Sequence, residues 1–264
     1  MKAVILAAGM GTRINHNRET IPKPLYEVNN KCLIEHVIEN IRKAGITEFV
    51  VVIGFMAEKI KERLGDGTKY GVKIEYTFNP EYEKPVGLSV LCSEKYINEP
   101  FILSMSDHIM EFEGLKKIID YPLEKDSCAL LVDKKIDTIF WLDDAAKVKL
   151  EENKIKGVNK KFESFDAIDC GVFKHSPIIF NEIRRMIHEP DSISAAVSNF
   201  CKQGKMFAVD IEEYKWVDID EYEELEVARE IFKKWLLYNP KTKQEMKDIN
   251  FRECFVQFEK EIRK

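Results

Sequence analysis

The N-terminal segment Lys2-Ala3-Val4-Ile5-Leu6-Ala7-Ala8-Gly9-Met10-Gly11-Thr12-Arg13 constrains this chain more than any other. A buried strand, Lys2 to Leu6, runs straight into a small glycine-hinged loop that ends in a cation. Glycines let a backbone turn tightly and bring its N–H groups close to an anion. Nine residues after Arg13, Pro22-Lys23-Pro24-Leu25 clamps a second cation between two prolines. Arg13 and Lys23 supply positive charge where a polyphosphate would sit. The ordinary structural alternative is a strand-turn-helix of any parallel α/β protein. Two better-known glycine loops do not fit. A dinucleotide fingerprint needs a third glycine where Ile14 stands, which argues against a dehydrogenase, and a Walker loop needs a Gly-Lys-Ser/Thr that is absent.

Strands and helices alternate along the first ~110 residues. Lys2 to Leu6, Glu48 to Ile53, Val72 to Phe78 and Phe101 to Met105 read as strands. Leu33 to Ala44, stopped by Gly45, Ala57 to Leu64, and Gly87 to Tyr96 read as helices. This order predicts a doubly wound, mostly parallel, Rossmann-like α/β sheet, with ligands beyond the carboxyl ends of its strands. Gly9, Asn79 and Asp107 all fall there. Beyond that point the pattern changes: Cys128 to Val132, Lys147 to Glu151, Lys154 to Val158 and Ala167 to Phe173 read as strands with few long helices between them. Glu152-Asn153 reads as a hairpin turn. The expected organisation is one domain over residues 1–238. Its first half covers about 1–110 and a mixed-strand extension about 111–220. A helical tail follows over 239–264, broken off at Pro240. In that tail Phe251, Phe255, Phe258 and Ile262 share a helical face, which suits packing on its own domain or, alternatively, a homodimer or partner contact.

Composition fits this class. A chain of 264 residues can bury a good core. It has no apolar run long enough for a membrane span and no signal peptide. Its six cysteines are scattered without a C-x-x-C pair, so they read as reduced thiols of a cytoplasmic protein. A net charge of −5 argues against nucleic-acid binding. Lys outweighs Arg and Glu outweighs Asp, a balance that fits a thermophile.

Two further stretches carry chemistry. Phe101-Ile102-Leu103-Ser104-Met105-Ser106-Asp107-His108 brings a carboxylate to the mouth of a buried strand, where it needs a cation or donors. Beside a nucleoside triphosphate the natural cation is Mg²⁺, held by one or two carboxylates; the alternative is an Asp capping the next helix. His108 supports the site, touches substrate, or fills space. In Trp216-Val217-Asp218-Ile219-Asp220, alternation puts both aspartates on one face of a strand end. One of them is expected to cap a helix starting near Glu221.

Leu6-Ala7-Ala8-Gly9-x-Gly11-Thr12-Arg13 followed by Pro22-Lys23-Pro24-Leu25 resembles the signature of the sugar-phosphate nucleotidylyltransferases. The resemblance implies that residues Leu6 to Arg13 wrap a nucleotide triphosphate and that Lys23 lies beside the α-phosphate under attack. It also implies metal ligation by Asp107 and by either Asp218 or Asp220, since Asp220 stands where the family has Gly, Asn or Asp. Asp107-His108, Glu83-Lys84-x-x-Gly87, Lys160, Phe165-Asp166-x-x-Asp169-x-Gly171 and Trp216-x-Asp218-x-Asp220 together look like the CTP:inositol-1-phosphate cytidylyltransferases, from Met1 to about Phe232. That likeness implies Asn79 and Gly87 on the nucleotide, Lys160 on the acceptor's phosphate, and Asp169 and His108 on the acceptor side. The family generally has Asn where this chain has Val86. The catalytic set is then Arg13, Lys23, Asp107 and Lys160, with Mg²⁺ as cofactor and CTP plus inositol 1-phosphate as substrates. Many members are fused to a membrane-embedded CDP-alcohol phosphotransferase; with no span before Lys264, that enzyme is expected as a separate polypeptide. Two alternatives remain. One is the same transfer to phosphocholine (with Tyr82 and Trp141 as cage candidates), an aminoalkylphosphonate or a hexose 1-phosphate. The other is a nucleotide-sensing regulatory subunit, which would predict erosion of Arg13, Lys23 or Asp107.

Overall fold

The alternation of short apolar runs and amphipathic helices builds, in a computed structural model describing residues 1–14, 21–139, 142–189 and 191–236, one nine-stranded mixed sheet with helices on both faces. The strands are β1 (Ala3–Ala7), β2 (Glu27–Val28), β3 (Lys31–Cys32), β4 (Glu48–Ile53), β5 (Lys73–Phe78), β6 (Phe101–Met105) and β7 (His108–Met110). They continue as β8 (Cys128–Asp133), β9 (Lys147–Glu151), β10 (Lys154–Asn159), β11 (Ala167–His175), β12 (Met206–Asp210) and β13 (Trp216–Asp218). The helices are α1 (Leu33–Lys43), α2 (Ala57–Leu64), α3 (Gly87–Cys92), α4 (Phe112–Asp120), α5 (Ile178–Arg185), α6 (Ser192–Lys202) and α7 (Tyr222–Leu236).

The large sheet runs β5-β4-β1-β6-β11-β8-β12-β10-β9. Its first four strands are mutually parallel, so the carboxyl ends of β1, β4, β5 and β6 form one edge. Strands β1 and β8 are buried at every position, as expected of strands covered on both faces. β11 then enters antiparallel between β6 and β8. Its amino-terminal half, Ala167 to Gly171, therefore reaches the same edge that the carboxyl ends of β1 and β6 reach. Helices α1, α2 and α4 bury Ile38, Ile60 and Ile118 on one face; α3, α5 and α6 bury Val90, Phe180 and Phe200 on the other. A third, smaller cluster (Ile14, Leu33, Ile109, Ile219, Leu225) seats α7 beside the N-terminal loop. Ile14, at the position of the missing fingerprint glycine, is a core residue.

Several elements differ from the sequence expectation. The helix from Gly87 stops at Cys92, where the Ser93 hydroxyl donates to Val90 O at 2.7 Å, and only one 3₁₀ turn follows. The second half holds α4, α5, α6 and β12 in addition to the anticipated strands. Ser192, Ser194, Ser198 and Asn199 blur the helical signal of α6, yet it forms because Ala196, Val197 and Phe200 bury against the sheet and Asp191 caps its first turn. No helix among the described residues is long and apolar enough to cross a membrane. Pro240, the tail over 239–264 with its Phe251-Phe255-Phe258-Ile262 face, Cys254 and Trp141 lie outside the described residues.

Candidate active site

Where β1 ends, the chain turns through Gly9 and Gly11. Gly11 has φ +60°, and a Cβ there would fall 2.7 Å from Lys23 Cβ. Glycine at this position therefore lets the Pro22-Lys23-Pro24 turn press against the loop backbone. Leu25 N donates to Pro22 O at 2.8 Å, closing a 3₁₀ turn that points Lys23 inward. Between loop and turn lies a cavity of 210 Å³, lined by Leu6, Ala7, Ala8, Gly9, Gly11 and Lys23, with Tyr82, Val86, Ser89 and Asp107 across from them. Thr12 is exposed beside it. Asn79 and Gly87 stand behind this cavity rather than on its wall. Asn79 is buried, donating to Ser89 Oγ at 2.9 Å and accepting from Glu81 N at 2.9 Å, so it aims Ser89 and the loop that follows. A Cβ at Gly87 would fall 2.1 Å from Ser192 Oγ, so Gly87 is the contact that lets α3 approach α6.

The expected catalytic side chains form one alternating chain of charge across the cleft. Lys23 Nζ lies 2.5 Å from Asp107 Oδ2 and 2.5 Å from Asp220 Oδ1. Asp220 Oδ2 accepts from Arg13 Nη2 at 2.5 Å. Arg13 Nη1 donates to Asp144 Oδ2 at 2.7 Å, and Asp144 Oδ1 accepts from Lys160 Nζ at 2.9 Å. Burial disfavours the Lys23 ammonium, but Asp107 and Asp220 outweigh it and hold the lysine well above its ordinary range. Burial likewise disfavours the Asp107 carboxylate, and Lys23, with His108, holds it well below the usual carboxylate range.

Asp218 reaches this group through a short antiparallel ribbon. β13 pairs with β7 so that Asp218 stands opposite His108 and Trp216 opposite Met110. His108 Nδ1 donates to Asp107 Oδ1 at 2.7 Å and faces Asp218 Oδ1 at 3.4 Å. Its ring stacks on Trp216 (centroids 6.0 Å apart, 14° between planes), and the Trp216 indole N–H donates to buried Asp133 at 2.9 Å. On its other side, Gly171 has φ +70° and a Cβ there would fall 2.3 Å from His108 Cδ2. Burial lowers the His108 pKa, but Asp218 and Asp107 raise it further, to about 9. Burial pushes Asp218 up to about 6 despite His108, and Asp169 up to about 6 despite the Gly171 N–H it accepts at 2.7 Å.

A divalent cation fits one corner of this arrangement. Asp218 Oδ1 is buried without a hydrogen-bond partner among the described residues, and ligand atoms of Asp107, His108 and Asp218 lie within 4.8 Å of one another. The two carboxylates are the hard oxygen donors that Mg²⁺ prefers. Asp220 stands outside this converging trio; its oxygens pair with Lys23 and Arg13, so it is placed as the counter-ion of the cations. Neither aspartate caps α7 with its side chain, as one was expected to. Glu224 does so from within the first turn, accepting from Asp220 N and from Glu221 N at 2.8 Å.

Beyond Lys160 the cleft opens into a second cavity of 280 Å³, whose wall includes His108, Lys160, Asp169, Gly171, Phe173 and Trp216. Leu6, Val86 and Met105 border both cavities, so the two meet over the carboxyl ends of β1 and β6. Asp144, Ser89 and Glu224 belong to this site and were not anticipated. Nothing in their local sequence marks them; packing of α3, α7 and the segment before β9 over the strand ends brings them there.

Comparison with known proteins agrees with this architecture. The chain is 30% identical over 228 residues to the "Bifunctional IPC transferase and DIPP synthase" of Aquifex aeolicus, covering 86% of this chain and 50% of that protein. It is 28% identical over 199 residues to the "CTP:phosphoglutamine cytidylyltransferase" of Campylobacter jejuni, covering 69% of this chain and 76% of that one. The chain spans about half the length of the bifunctional relatives it matches. Its fold is that of the inositol-1-phosphate CTP transferase from T. maritima, with a TM-score of 0.75 at 24% identity over 88% of this chain and 95% of that chain. With residues 2–234 matching the family's pattern, the chain belongs to the Nucleotidyl transferase family of enzymes.

Proposed function

We propose that this chain transfers a cytidylyl group from CTP to inositol 1-phosphate, releasing pyrophosphate and forming CDP-inositol. The observation that carries the reading is the pair of cavities, one presenting Lys23 and the other Lys160, that meet over the ends of β1 and β6. The relatives named IPC transferase and the fold neighbour named inositol-1-phosphate CTP transferase support the choice of base and acceptor. The proposal covers the half that these bifunctional relatives share with this chain, acting in the cytoplasm where CTP is made available. A CDP-alcohol phosphotransferase activity would consume the product.

An oxygen of the acceptor phosphate attacks the α-phosphorus as the bond to the β-phosphate oxygen breaks and pyrophosphate departs. The acceptor monoester is already anionic near neutral pH, so no general base is required. The obstacle is bringing two anions together and stabilising charge on the transferring group. Lys23, buried at the junction, is the cation for the α-phosphoryl group. Arg13 and the N–H groups of the Gly9–Gly11 loop hold the departing pyrophosphate, while Lys160 orients the acceptor. Mg²⁺ held by Asp107 and Asp218 would neutralise phosphate oxygens. Asp169, on the acceptor cavity wall, is placed to accept from acceptor hydroxyls.

The acidic wall formed by Asp144, Asp169 and Asp191 also suits a phosphorylated amine such as phosphocholine or an aminoalkylphosphonate. A pyrophosphate-release screen decides, crossing the four nucleoside triphosphates with inositol 1-phosphate, phosphocholine, an aminoalkylphosphonate and hexose 1-phosphates. Turnover with CTP and inositol 1-phosphate alone is expected. Turnover confined to an amine or a hexose phosphate overturns the assignment.

A further inference from the structure

Asp144 is the one carboxylate among the described residues that touches both Arg13 and Lys160, the cations assigned above to opposite ends of the reaction. It stands just before β9, on a segment pinned to the site by the bond from Asp169 N to Ala146 O at 2.9 Å. Each of its oxygens takes a different cation: Oδ2 accepts from Arg13 at 2.7 Å and Oδ1 from Lys160 at 2.9 Å. The carboxylate takes one donor from each of the two cations assigned to the leaving pyrophosphate and the acceptor phosphate. Asp220 does not play this part, because it bridges Arg13 to Lys23 within the nucleotide side alone.

We infer that Asp144 is a latch shared by the two anion sites, an internal stand-in for substrate phosphate that couples occupation of one site to opening of the other. The inference rests on the reading of Arg13 and Lys160 as the pyrophosphate and acceptor-phosphate cations. Either anion must first displace Asp144 from its own cation. Once one anion has done so, the bridge has lost half of its support, and the second cation is released at lower cost. Binding of the two anions is thereby made mutually favourable, against the repulsion that two like charges otherwise impose. The residues involved are half exposed (side-chain exposure 47% for Arg13, 53% for Lys160 and 55% for Asp144), so solvent screens the latch. Its effect is accordingly about two- to fivefold rather than hundreds. If the closed latch blocks both anions, one number governs both observations. The factor by which each single affinity improves on removing Asp144 is the factor by which the mutual assistance declines.

The test uses Asp144→Asn, which keeps the shape and removes the charge, with Asp144→Ala beside it. Inorganic pyrophosphate and inorganic phosphate serve as probes, titrated calorimetrically into the full chain, each alone and in the presence of saturating amounts of the other. These probes report on Arg13 and Lys160 whatever the base or acceptor, so a failed CTP and inositol 1-phosphate screen leaves the result interpretable. Both variants are expected to bind each anion about two- to fivefold more tightly than wild type, and to lose about the same factor of mutual assistance. Weaker phosphate binding in the variants would overturn the inference, since Asp144 would then be holding the acceptor itself. So would mutual assistance unchanged from wild type, whichever way the single affinities move. Phosphate affinity unaltered by Lys160→Ala would overturn it too, by removing one of the two sites.

Discussion

Lys23 and Lys160 bring the same charge to the same cleft from two regions built on different rules. Lys23 is held in the parallel half, with its side chain 10% exposed and two carboxylates at 2.5 Å. Its position is set by backbone: a 3₁₀ turn between prolines and a glycine that admits its stem. Lys160 stands on the antiparallel side just past β10, with its side chain 53% exposed and one carboxylate at 2.9 Å. Charge interactions are strong where water is excluded and weak where it is not. In the proposed reaction Lys23 would be the rigid, pre-arranged charge for the reacting phosphorus. Lys160, the more solvated of the two, would serve to capture and release the acceptor. The family chemistry needs both, because only the charge that meets the transition state lowers the barrier, whereas the other improves binding.

Substitution of the two lysines tests this contrast most directly, and Lys23→Ala has the largest expected effect. Turnover per folded molecule should fall ~10²–10³-fold, as for loss of a fixed charge at a transferring group. From sequence alone this variant would be expected to fold normally. The double ion pair alters that expectation, because Asp107 and Asp220 would be left together without their cation, so its urea midpoint should fall as well. Turnover within tenfold of wild type would break the comparison at its stronger end.

The next effect separates burial that serves stability from burial that serves reaction. His175 ends β11 at the edge opposite Asp169 and Gly171, wholly buried, with neither ring nitrogen hydrogen-bonded among the described residues. It stacks on Phe173 at 5.2 Å, and burial holds its pKa down to about 3. The unfolded chain takes up a proton near pH 6.5 that the folded chain refuses. Stability from this group is thus complete above pH 6.5 and is lost as the pH falls toward 3, at ~1.4 kcal/mol per pH unit. Urea unfolding at pH 6.5 and pH 5 should show wild type losing about 2 kcal/mol more than His175→Phe. Equal losses in the two proteins would show that His175 does not carry the dependence. Turnover at pH 7 should be nearly the same in both, since His175 meets the cleft wall through its stack on Phe173, a contact that a phenyl ring keeps.

Lys160→Ala is the smallest of the three. About a tenfold loss is expected, mostly as a raised KM for the acceptor with little change in kcat or unfolding midpoint. A loss confined to kcat would place Lys160 with Lys23, and the distinction between the two sides would fail.

Much of the parallel half is legible in the order of residues along the chain. β4, α2 and β6 have the bounds that their apolar runs and glycine stops suggest, because each is a local pattern of burial with a local terminator. The same holds for the Gly9-x-Gly11 loop and the Pro22-Lys23-Pro24 turn. α6 and β12 are not legible in this way, since Ser-rich helices and short strands draw their stability from surfaces supplied by distant elements. Asn79 and Gly87 can be placed near the nucleotide side by resemblance, but not assigned to the second layer behind Ser89 and against Ser192.

By itself the sequence determined the chemistry on offer: a glycine loop, two cations beside it, and carboxylates at strand ends. Those follow from residue type and from backbone restrictions that glycine and proline impose within a few positions. Only the tertiary structure decided the partners. β7 pairing with β13 set Asp218, rather than Asp220, beside Asp107 and His108. The reversal of β11 carried Asp169 and Gly171 to the reactive edge. The bridge from Arg13 through Asp144 to Lys160 spans residues more than a hundred positions apart. Charge pairing depends on distances of a few ångströms, and for such separations those distances are set by strand register and direction, which no local pattern encodes.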